Sequence, residues 1–325
     1  MGYELASRSA MHFLVDGICV CCLYLAAERY AAHSLLWAFM TYNVMAFLTQ
    51  PITGYIADCT RNRYKLLYSS VVLLCTGAAV VAVAVATGDE AGRHDYMLST
   101  AYKGFPLLAA LTLGAGNSLF HVWGGKATAI ESGNDIRHLG TFVATGAMGL
   151  AVGASLASWA LLVAFIVALA ALALTTGNGE HLKPNVTRKL EKPHWWIAAA
   201  MCLIIAVVML RSLLGQTLAG GELKQLALVA GLTAMLGKMA GGWMCHYMGL
   251  IPAAVVMVVA VAVCTAWHGG STVVILCGLF AVNCTMPVTL YLANVLMPGR
   301  EGLAFGLLAA ALMPGYLIAT MNYAL

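Results

Sequence analysis

Long apolar stretches recur from one end of the chain to the other, and short polar segments separate them. A helix that crosses a bilayer needs about 20 mostly apolar residues, whereas a β-barrel would show shorter segments of alternating polarity. The pattern therefore predicts an all-α polytopic membrane protein. Its eleven predicted spans cover residues 9–28, 34–57, 65–87, 104–124, 140–157, 159–176, 195–217, 223–246, 251–268, 271–296 and 302–323.

The run 140–176 is too long for one span, and a break near Ser158 divides it into two helices joined by a tight turn. No cleavable signal peptide is expected at the N-terminus. The first apolar segment carries Asp16 and lacks a cleavage site of small residues. The chain is therefore expected to keep its first span.

The composition excludes an ordinary soluble domain. Hydrophobic residues make up 62% of the 325 positions and charged residues 9%, against about 45–50% and 25% in soluble proteins. Most of the ten cysteines lie inside apolar runs, where they act as small hydrophobic residues rather than as a disulfide framework. The bilayer is thus the expected environment of most of the chain.

The basic residues predict the orientation. With the N-terminus inside, the inner segments hold eleven of the 17 lysines and arginines and the outer segments four. Cytoplasmic loops carry an excess of such residues. We therefore expect a cytoplasmic N-terminus in a bacterial-type inner (plasma) membrane, and the odd number of spans places the C-terminus outside.

The chain divides into two related parts. The basic segment 177–194 contains two prolines and separates a six-span half, residues 1–176, from a five-span half, residues 195–325. We interpret it as a cytoplasmic linker. Duplicated helical halves are typical of secondary transporters, whose substrate lies between the halves near the membrane midplane. The matching positions are Asn117 with Asn283, Arg137 with Arg300, and the segment Gly54 to Asp58 with Gly242 to His246.

The loop after the second span carries the most specific motif, which reads GYIADCTRNRYK from Gly54 to Lys65. It resembles the signature loop of the major facilitator superfamily (MFS), where a glycine is followed four residues later by an aspartate and then by basic residues. Arg61 stands where the family pattern has a second glycine. The family usually has twelve helices, so this chain resembles a compact member without an evident twelfth helix.

The resemblance implies a fold and a set of gating residues. An MFS-like bundle of two halves works by alternating access, with spans five and eight, and two and eleven, packed across the halves. Asp58 would then pair with a basic or helix-end partner in the other half and latch one state. The predicted latch residues are Gly54, Asp58, Arg61, Arg63 and Lys238.

Polar side chains within spans are costly and mark functional sites by default. Asp16 lies in the inner part of the first span and Arg211 in the outer half of the seventh, so a direct pair between them is not expected. The resemblance implies that spans one, four, seven and ten line the central cavity. The candidate substrate-binding residues on them are Asn117, His121, Arg211 and Asn283, and the candidate coupling residues are Asp16 and His121. Each has a structural alternative, such as a hydrogen bond between helices.

The charges favour an anionic substrate. Arg211 and Lys238 outnumber the single acid Asp16 within the spans, and arginine binds carboxylate or phosphate through a paired fork. We therefore expect a secondary transporter of a small organic anion. A titratable Asp16 or His121 would permit proton symport, and sodium coupling stays open. The alternatives are an exporter of amphipathic or drug-like compounds and a receptor or assembly protein that transports nothing.

We expect neither an enzyme nor a bound metal, cofactor or nucleic acid. The sequence contains no HExxH or GxSxG motif. A soft-metal carrier could draw on Cys19, Cys21, Cys22 and His121 together with the 17 methionines. However, Cys21 and Cys22 are adjacent and point to different sides of a helix, so these cysteines do not predict a metal site.

Overall fold

A computed structural model describes residues 2–27, 32–60, 63–91, 96–176, 194–220, 226–267 and 271–324. These residues are almost entirely helical and include no β-strand. A π-helix, Val44–Leu48, connects the second and third α-helices. The α-helices are α1 Gly2–Ala27, α2 Ala32–Asn43, α3 Gln50–Cys59, α4 Arg63–Ala91, α5 Tyr96–Glu131, α6 Ile136–Ser155, α7 Trp159–Thr175, α8 His194–Gly220, α9 Ala227–Met248, α10 Leu250–Ala266, α11 Thr272–Cys284, α12 Met286–Leu296, α13 Glu301–Ala310 and α14 Met313–Ala324.

Within the described ranges, every predicted span coincides with one α-helix or with two consecutive α-helices, which in the span 34–57 flank the π-helix. Seven of these segments are long and apolar enough to cross a membrane, and α7 and α10 are shorter apolar helices. The polytopic all-α membrane fold predicted from the sequence is confirmed. The linker 177–194 lies outside the described residues except for its last position, which begins α8.

Three spans are interrupted where prolines follow the break. Pro51 and Pro287 lie in the first turns of α3 and α12, and Pro314 is the second residue of α14. A proline lacks the backbone N–H that would continue the preceding helix. At the third break the Leu312 carbonyl accepts the backbone N–H of Tyr316 at 3.4 Å and also the Ser212 hydroxyl at 2.7 Å, which ties this break to α8.

The tight turn within 140–176 lies at the predicted place. Helix α6 ends at Ser155 and α7 begins at Trp159. The Ser158 hydroxyl accepts the N–H of Leu161 and caps α7. The predicted division near Ser158 is confirmed.

Helix α1 is the centre of the N-terminal part of the bundle. It packs against α5, α6 and α7, and most of its residues are buried. The GxxxG pair Gly149 and Gly153 of α6 lies directly against the α1 backbone at Phe13 and Gly17. A span that is buried on nearly all sides can hold polar side chains away from lipid, which is where Asp16 lies.

The two contacts expected between the halves are present. Helix α6 packs along α9, and α3 packs along α13. Gly242 of α9 lies against the backbone of Ile136, and Gly54 of α3 lies against Gly302 of α13. Small residues let helix backbones approach closely in lipid, so these two seams join spans five and eight, and two and eleven.

Candidate functional site

A cavity of about 710 Å³ lies between the two sets of helices. Residues of α1, α5 and α6 form one side of its wall, and residues of α8, α9 and α12 form the other. This volume could hold a small organic ligand. The wall includes the predicted residues Asp16, Asn117, His121, Arg211 and Lys238, and their roles in binding stay predictions.

The position of Asp16 differs from the expectation. Helix α1 begins at Gly2 rather than at residue 9, so Asp16 lies near the middle of the helix and not in its inner part. Asp16 and Arg211 line the same cavity. No ion pair joins these two side chains in the described structure, as expected.

His12 and Asp16 lie one turn apart on α1 and form one edge of a polar cluster. His12 Nε2 is 3.3 Å from Asp16 Oδ2, and both side chains are buried. An i, i+4 spacing places two side chains on the same helix face. The backbone of α6 closes behind them, because a side chain at Gly146 would collide with both residues.

Helix α5 supplies the other edge of the cluster. His121 Nε2 is 2.9 Å from His12 Nε2 and 3.5 Å from Asp16 Oδ1. Asn117 lies one turn earlier and donates its amide N–H to Asp16 Oδ1 at 2.9 Å. Asn117 thereby fixes the carboxylate, and two histidines and one aspartate converge on one point.

The backbone contacts of the histidines determine which ring nitrogens face the centre. His12 Nδ1 lies 2.7 Å from the carbonyl of Phe142, and His121 Nδ1 lies 2.9 Å from the carbonyl of Asn117. A carbonyl only accepts hydrogen bonds, so each Nδ1 carries its hydrogen and donates. In the neutral rings both Nε2 atoms therefore present lone pairs toward each other and toward the carboxylate.

Such a cluster requires a cation. Unprotonated nitrogens 2.9 Å apart beside a carboxylate repel one another unless a proton or a metal ion lies between them. A transition metal bound at about 2.0–2.1 Å from nitrogen would separate neighbouring ligand atoms by roughly 3 Å, close to the 2.9, 3.3 and 3.5 Å found here. The three ligand atoms all lie within 4.8 Å of one another.

The backbone contacts are also those of a metal site. Histidine ligands usually donate their second N–H to a backbone carbonyl or a carboxylate, and ligating carboxylates are themselves hydrogen-bonded. His12, His121 and Asp16 have such partners in Phe142 and Asn117. The expectation that the chain has no metal site stays a prediction, and these three residues could hold an ion.

His12 is the residue that sequence reasoning missed. It precedes the predicted cavity residue Asp16 by four positions, and this spacing is the available signal. The predicted start of the first span at residue 9 places His12 near the membrane surface. In the structure the longer α1 buries it, with 4% of its surface exposed.

The opposite wall of the cavity is cationic. Arg211 on α8 is buried and donates from NH1 to the Thr289 hydroxyl at 3.2 Å. Lys238 on α9 donates from Nζ to the carbonyl of Val143 on α6, also at 3.2 Å. Lys238 therefore both lines the cavity and bridges the α6–α9 seam.

Asn283 does not join this cavity. Its amide donates to the carbonyl of Leu279 on its own helix at 2.8 Å, and it lines a smaller adjoining cavity of about 330 Å³. Asn117 and Asn283 match in the sequence repeat, but only Asn117 contacts the polar cluster. A substrate-binding role for Asn283 stays a prediction that this geometry does not support.

Asp58 lies at the end of the bundle where α3 meets α13. Its carboxylate accepts the backbone N–H groups of Gly302 at 2.9 Å and Leu303 at 2.8 Å, at the start of α13. Lys126 Nζ lies 3.2 Å from the same carboxylate. An acid is stabilised at a helix N-terminus, so Asp58 has the helix-end partner in the other half that the motif predicts. Arg61 and the side chain of Arg63 lie outside the described residues.

A related contact lies at the α6–α9 seam. His246, the repeat counterpart of Asp58, is 3.3 Å from Arg137 at the start of α6. Arg137 also lies 5.4 Å over the Trp243 ring. Hydrogen bonds from Arg137 lower the pKa of Asp135 to about 2, so this loop keeps its ion pair at physiological pH. Both seams are thus held at the same end of the bundle.

Comparison with known proteins supports the fold. No protein-family model matches the sequence, and no curated protein matches it. Two crystal structures of a bacterial homologue of the iron transporter ferroportin, both outward-facing and one with soaked iron, are similar to this chain. The first has a TM-score of 0.74 and 14% identity over 99% of this chain and 92% of its own. The second has a TM-score of 0.71 and 15% identity over 98% and 91%. At this identity the likeness shows that the chain shares the fold of that homologue and nothing finer.

Proposed function

We propose that this chain is a secondary transporter that works by alternating access and carries a divalent transition-metal ion. The ion would be bound by His12, Asp16 and His121. The observation that carries the proposal is the convergence of two imidazole Nε2 atoms and a carboxylate on one point of a central cavity. The similar solved structures belong to a homologue of an iron transporter, which agrees with a metal as cargo.

The donor set selects the class of metal. Two imidazole nitrogens and one carboxylate with open positions suit Fe²⁺ and related first-row ions, whereas Ca²⁺ and Mg²⁺ prefer oxygen ligands. The triad leaves positions of the ion free toward the cavity. A site with few protein ligands can release its ion, which a transported substrate requires.

The closed end of the bundle supports alternating access. Asp58 and Arg137 bridge α3–α13 and α6–α9 at one end, while the cavity extends toward Tyr24 and Leu36 near the other. Gly54, Asp58 and Lys238 would act as latches of this state. Arg61 and Arg63 stay latch predictions.

Proton coupling follows from the same cluster. A metal ion and a proton compete for the His12 and His121 nitrogens, because a ligand must be deprotonated to bind metal. This competition favours exchange of metal against protons over the symport predicted from the sequence. Arg211 and Lys238 are the other charged groups on the cavity wall.

A small organic anion stays the second candidate substrate. Arg211 and Lys238 line the cavity, and their described partners are a neutral hydroxyl and a neutral carbonyl. An anion transported alone would depend on these two side chains and not on the histidines. The two candidate substrates are therefore distinguished by whether transport depends on the histidines or on Arg211 and Lys238.

Proteoliposomes containing the full chain and an internal metal-quenched dye test the proposal. We expect influx of Co²⁺, which is lost in His121→Ala and retained in His138→Ala, a matched change outside the cavity. A parallel assay follows labelled dicarboxylates. If Co²⁺ does not enter and the uptake of carboxylate depends on Arg211, the transported substrate is the anion and not the metal.

The orientation in the plasma membrane stays a prediction. Single cysteines introduced at Asn185 and Asn322 would be labelled with an impermeant thiol reagent in intact cells. The basic-residue bias predicts that only the site near the C-terminus reacts. Labelling at residue 185 would reverse the assigned orientation.

A further inference from the structure

The two basic residues of the cavity have no acidic partner in the part of the chain that the structure describes. Arg211 contacts the Thr289 hydroxyl and Lys238 the carbonyl of Val143. Both side chains line the cavity between the helices. A buried charge with only neutral partners is costly, so each of these cations can gain from an anion that enters the cavity.

Helix α6 places one of these cations beside the histidine cluster. The carbonyl of Phe142 accepts from His12, the next carbonyl, of Val143, accepts from Lys238, and Gly146 lies against Asp16. With a rise of about 1.5 Å per residue, the stretch 142–146 covers roughly 6 Å of helix. Lys238 thus reaches across to α6 within about one helical turn of the residues that contact the cluster.

This arrangement works against a bare metal ion. A divalent cation bound by Asp16 keeps one net positive charge, since the two histidines are neutral ligands. The bound ion would be repelled by Arg211 and Lys238, because charge repulsion is stronger in the protein interior than in water. The charges balance only if an anion accompanies the metal.

We propose that the cavity takes the metal together with a small polycarboxylate, and this inference rests on the metal function proposed above. Carboxylate oxygens would fill the positions of the ion that His12, Asp16 and His121 leave open. The remaining carboxylates would pair with Arg211, through its two-point fork, and with Lys238. The cavity of about 710 Å³ has room for such a ligand, far beyond the needs of a single ion.

Calorimetric titration of the purified full chain with Co²⁺ tests this, with and without citrate as the probe anion. Citrate in solution chelates Co²⁺, so without an anion subsite it must weaken apparent binding. We expect the opposite, at least tenfold tighter binding of Co²⁺ with citrate than without it. Acetate, whose single carboxylate cannot reach both the metal and the basic pair, should give no such gain.

Substitution of Arg211 or Lys238 gives a second test, in which the expected effect of citrate on Co²⁺ binding is reversed. Arg211→Gln and Lys238→Gln should bind Co²⁺ alone several-fold more tightly than the unmodified chain, because repulsion is reduced, and citrate should then weaken binding. Lys65→Gln, the same change at an exposed position of α4, should behave like the unmodified chain.

Two results would overturn the inference, and they are distinguishable from failure of the metal proposal. If Co²⁺ binds through the histidines but citrate only competes for it, the anion subsite is wrong and the metal site stands. If Arg211→Gln leaves the gain from citrate intact, the basic pair is not the subsite. If Co²⁺ binds under no condition, the metal function itself fails and the inference fails with it.

Discussion

The two sides of the cavity carry opposite chemistry. On the α1 and α5 side, His12, Asp16 and His121 present lone pairs and a negative charge. On the α8 and α9 side, Arg211 and Lys238 present positive charge. The helices on the two sides of the cavity thus differ in charge, and a few side chains account for the difference.

The α3–α13 and α6–α9 contacts differ less from each other than the two sides of the cavity do. Asp58 meets the start of α13, and its repeat counterpart His246 meets Arg137 at the start of α6. Both contacts join the end of one span to the beginning of another. The two contacts therefore share this arrangement, although one is made by a carboxylate and the other by an imidazole.

The largest effect should come from Asp16→Asn, which removes the one negative ligand of the cluster. We expect Co²⁺ affinity to fall by about 100-fold or more, at the upper end of the roughly 10–100-fold losses seen when only the partners of metal ligands are changed. The matched change on the other wall, Thr289→Ala, should alter affinity by less than about threefold. If calorimetric titration finds equal losses of Co²⁺ affinity in the two variants, the assignment of metal binding to the α1 and α5 side of the cavity is wrong.

Asp58→Asn should slow transport by roughly 10- to 100-fold, because it weakens charge-assisted hydrogen bonds of about 1.5–3 kcal/mol each. Metal affinity should stay unchanged, since Asp58 lies outside the cavity wall. His246→Gln, at the repeat counterpart, should have a much smaller effect. If the Asp58 variant transports at the wild-type rate, Asp58 does not act as a latch.

Acid should weaken metal binding. A proton that binds His12 or His121 must leave before the metal enters, so each displaced proton raises the apparent Kd by up to about tenfold per pH unit below the imidazole titration. Titrations between pH 5 and 8 measure this slope. An affinity independent of pH would mean that the histidines are not ligands.

The smallest effect concerns the repeated asparagines. Asn117→Ala removes the hydrogen bond that orients Asp16, and we expect about a tenfold loss of metal affinity. Asn283→Ala removes only a bond to its own helix and should change affinity by less than about twofold. The reverse order would show that the C-terminal asparagine is the one that positions the substrate.

Much of the fold could be predicted from the sequence. Apolar stretches of membrane length indicate the spans, and the motif containing Gly54 and Asp58 indicates the α3–α13 contact. The division at Ser158 is also predictable, since a serine before an apolar run is a helix N-cap signal. These features depend on local pattern or on a specific motif.

The cluster of His12, Asp16 and His121 could be predicted only in part. Asp16, Asn117 and His121 are recognisable because polar residues within spans are conspicuous, but their mutual contacts depend on how α1 and α5 pack. His12 escapes notice because apolar patterning underestimates helices that extend past the hydrophobic run, and Glu4 and Arg8 are part of that extension. Counting charges suggests an anion, whereas the arrangement of uncharged imidazoles, invisible to such a count, points to a metal.

X-ray absorption at the cobalt edge on the Co²⁺-loaded chain tests the central claim most directly. The account predicts a first shell containing two imidazole nitrogens at about 2.0–2.2 Å together with carboxylate oxygen. In His121→Ala the imidazole contribution should fall by half. A shell made only of oxygen, or an unchanged imidazole signal in that variant, would contradict metal binding at the His12, Asp16 and His121 cluster.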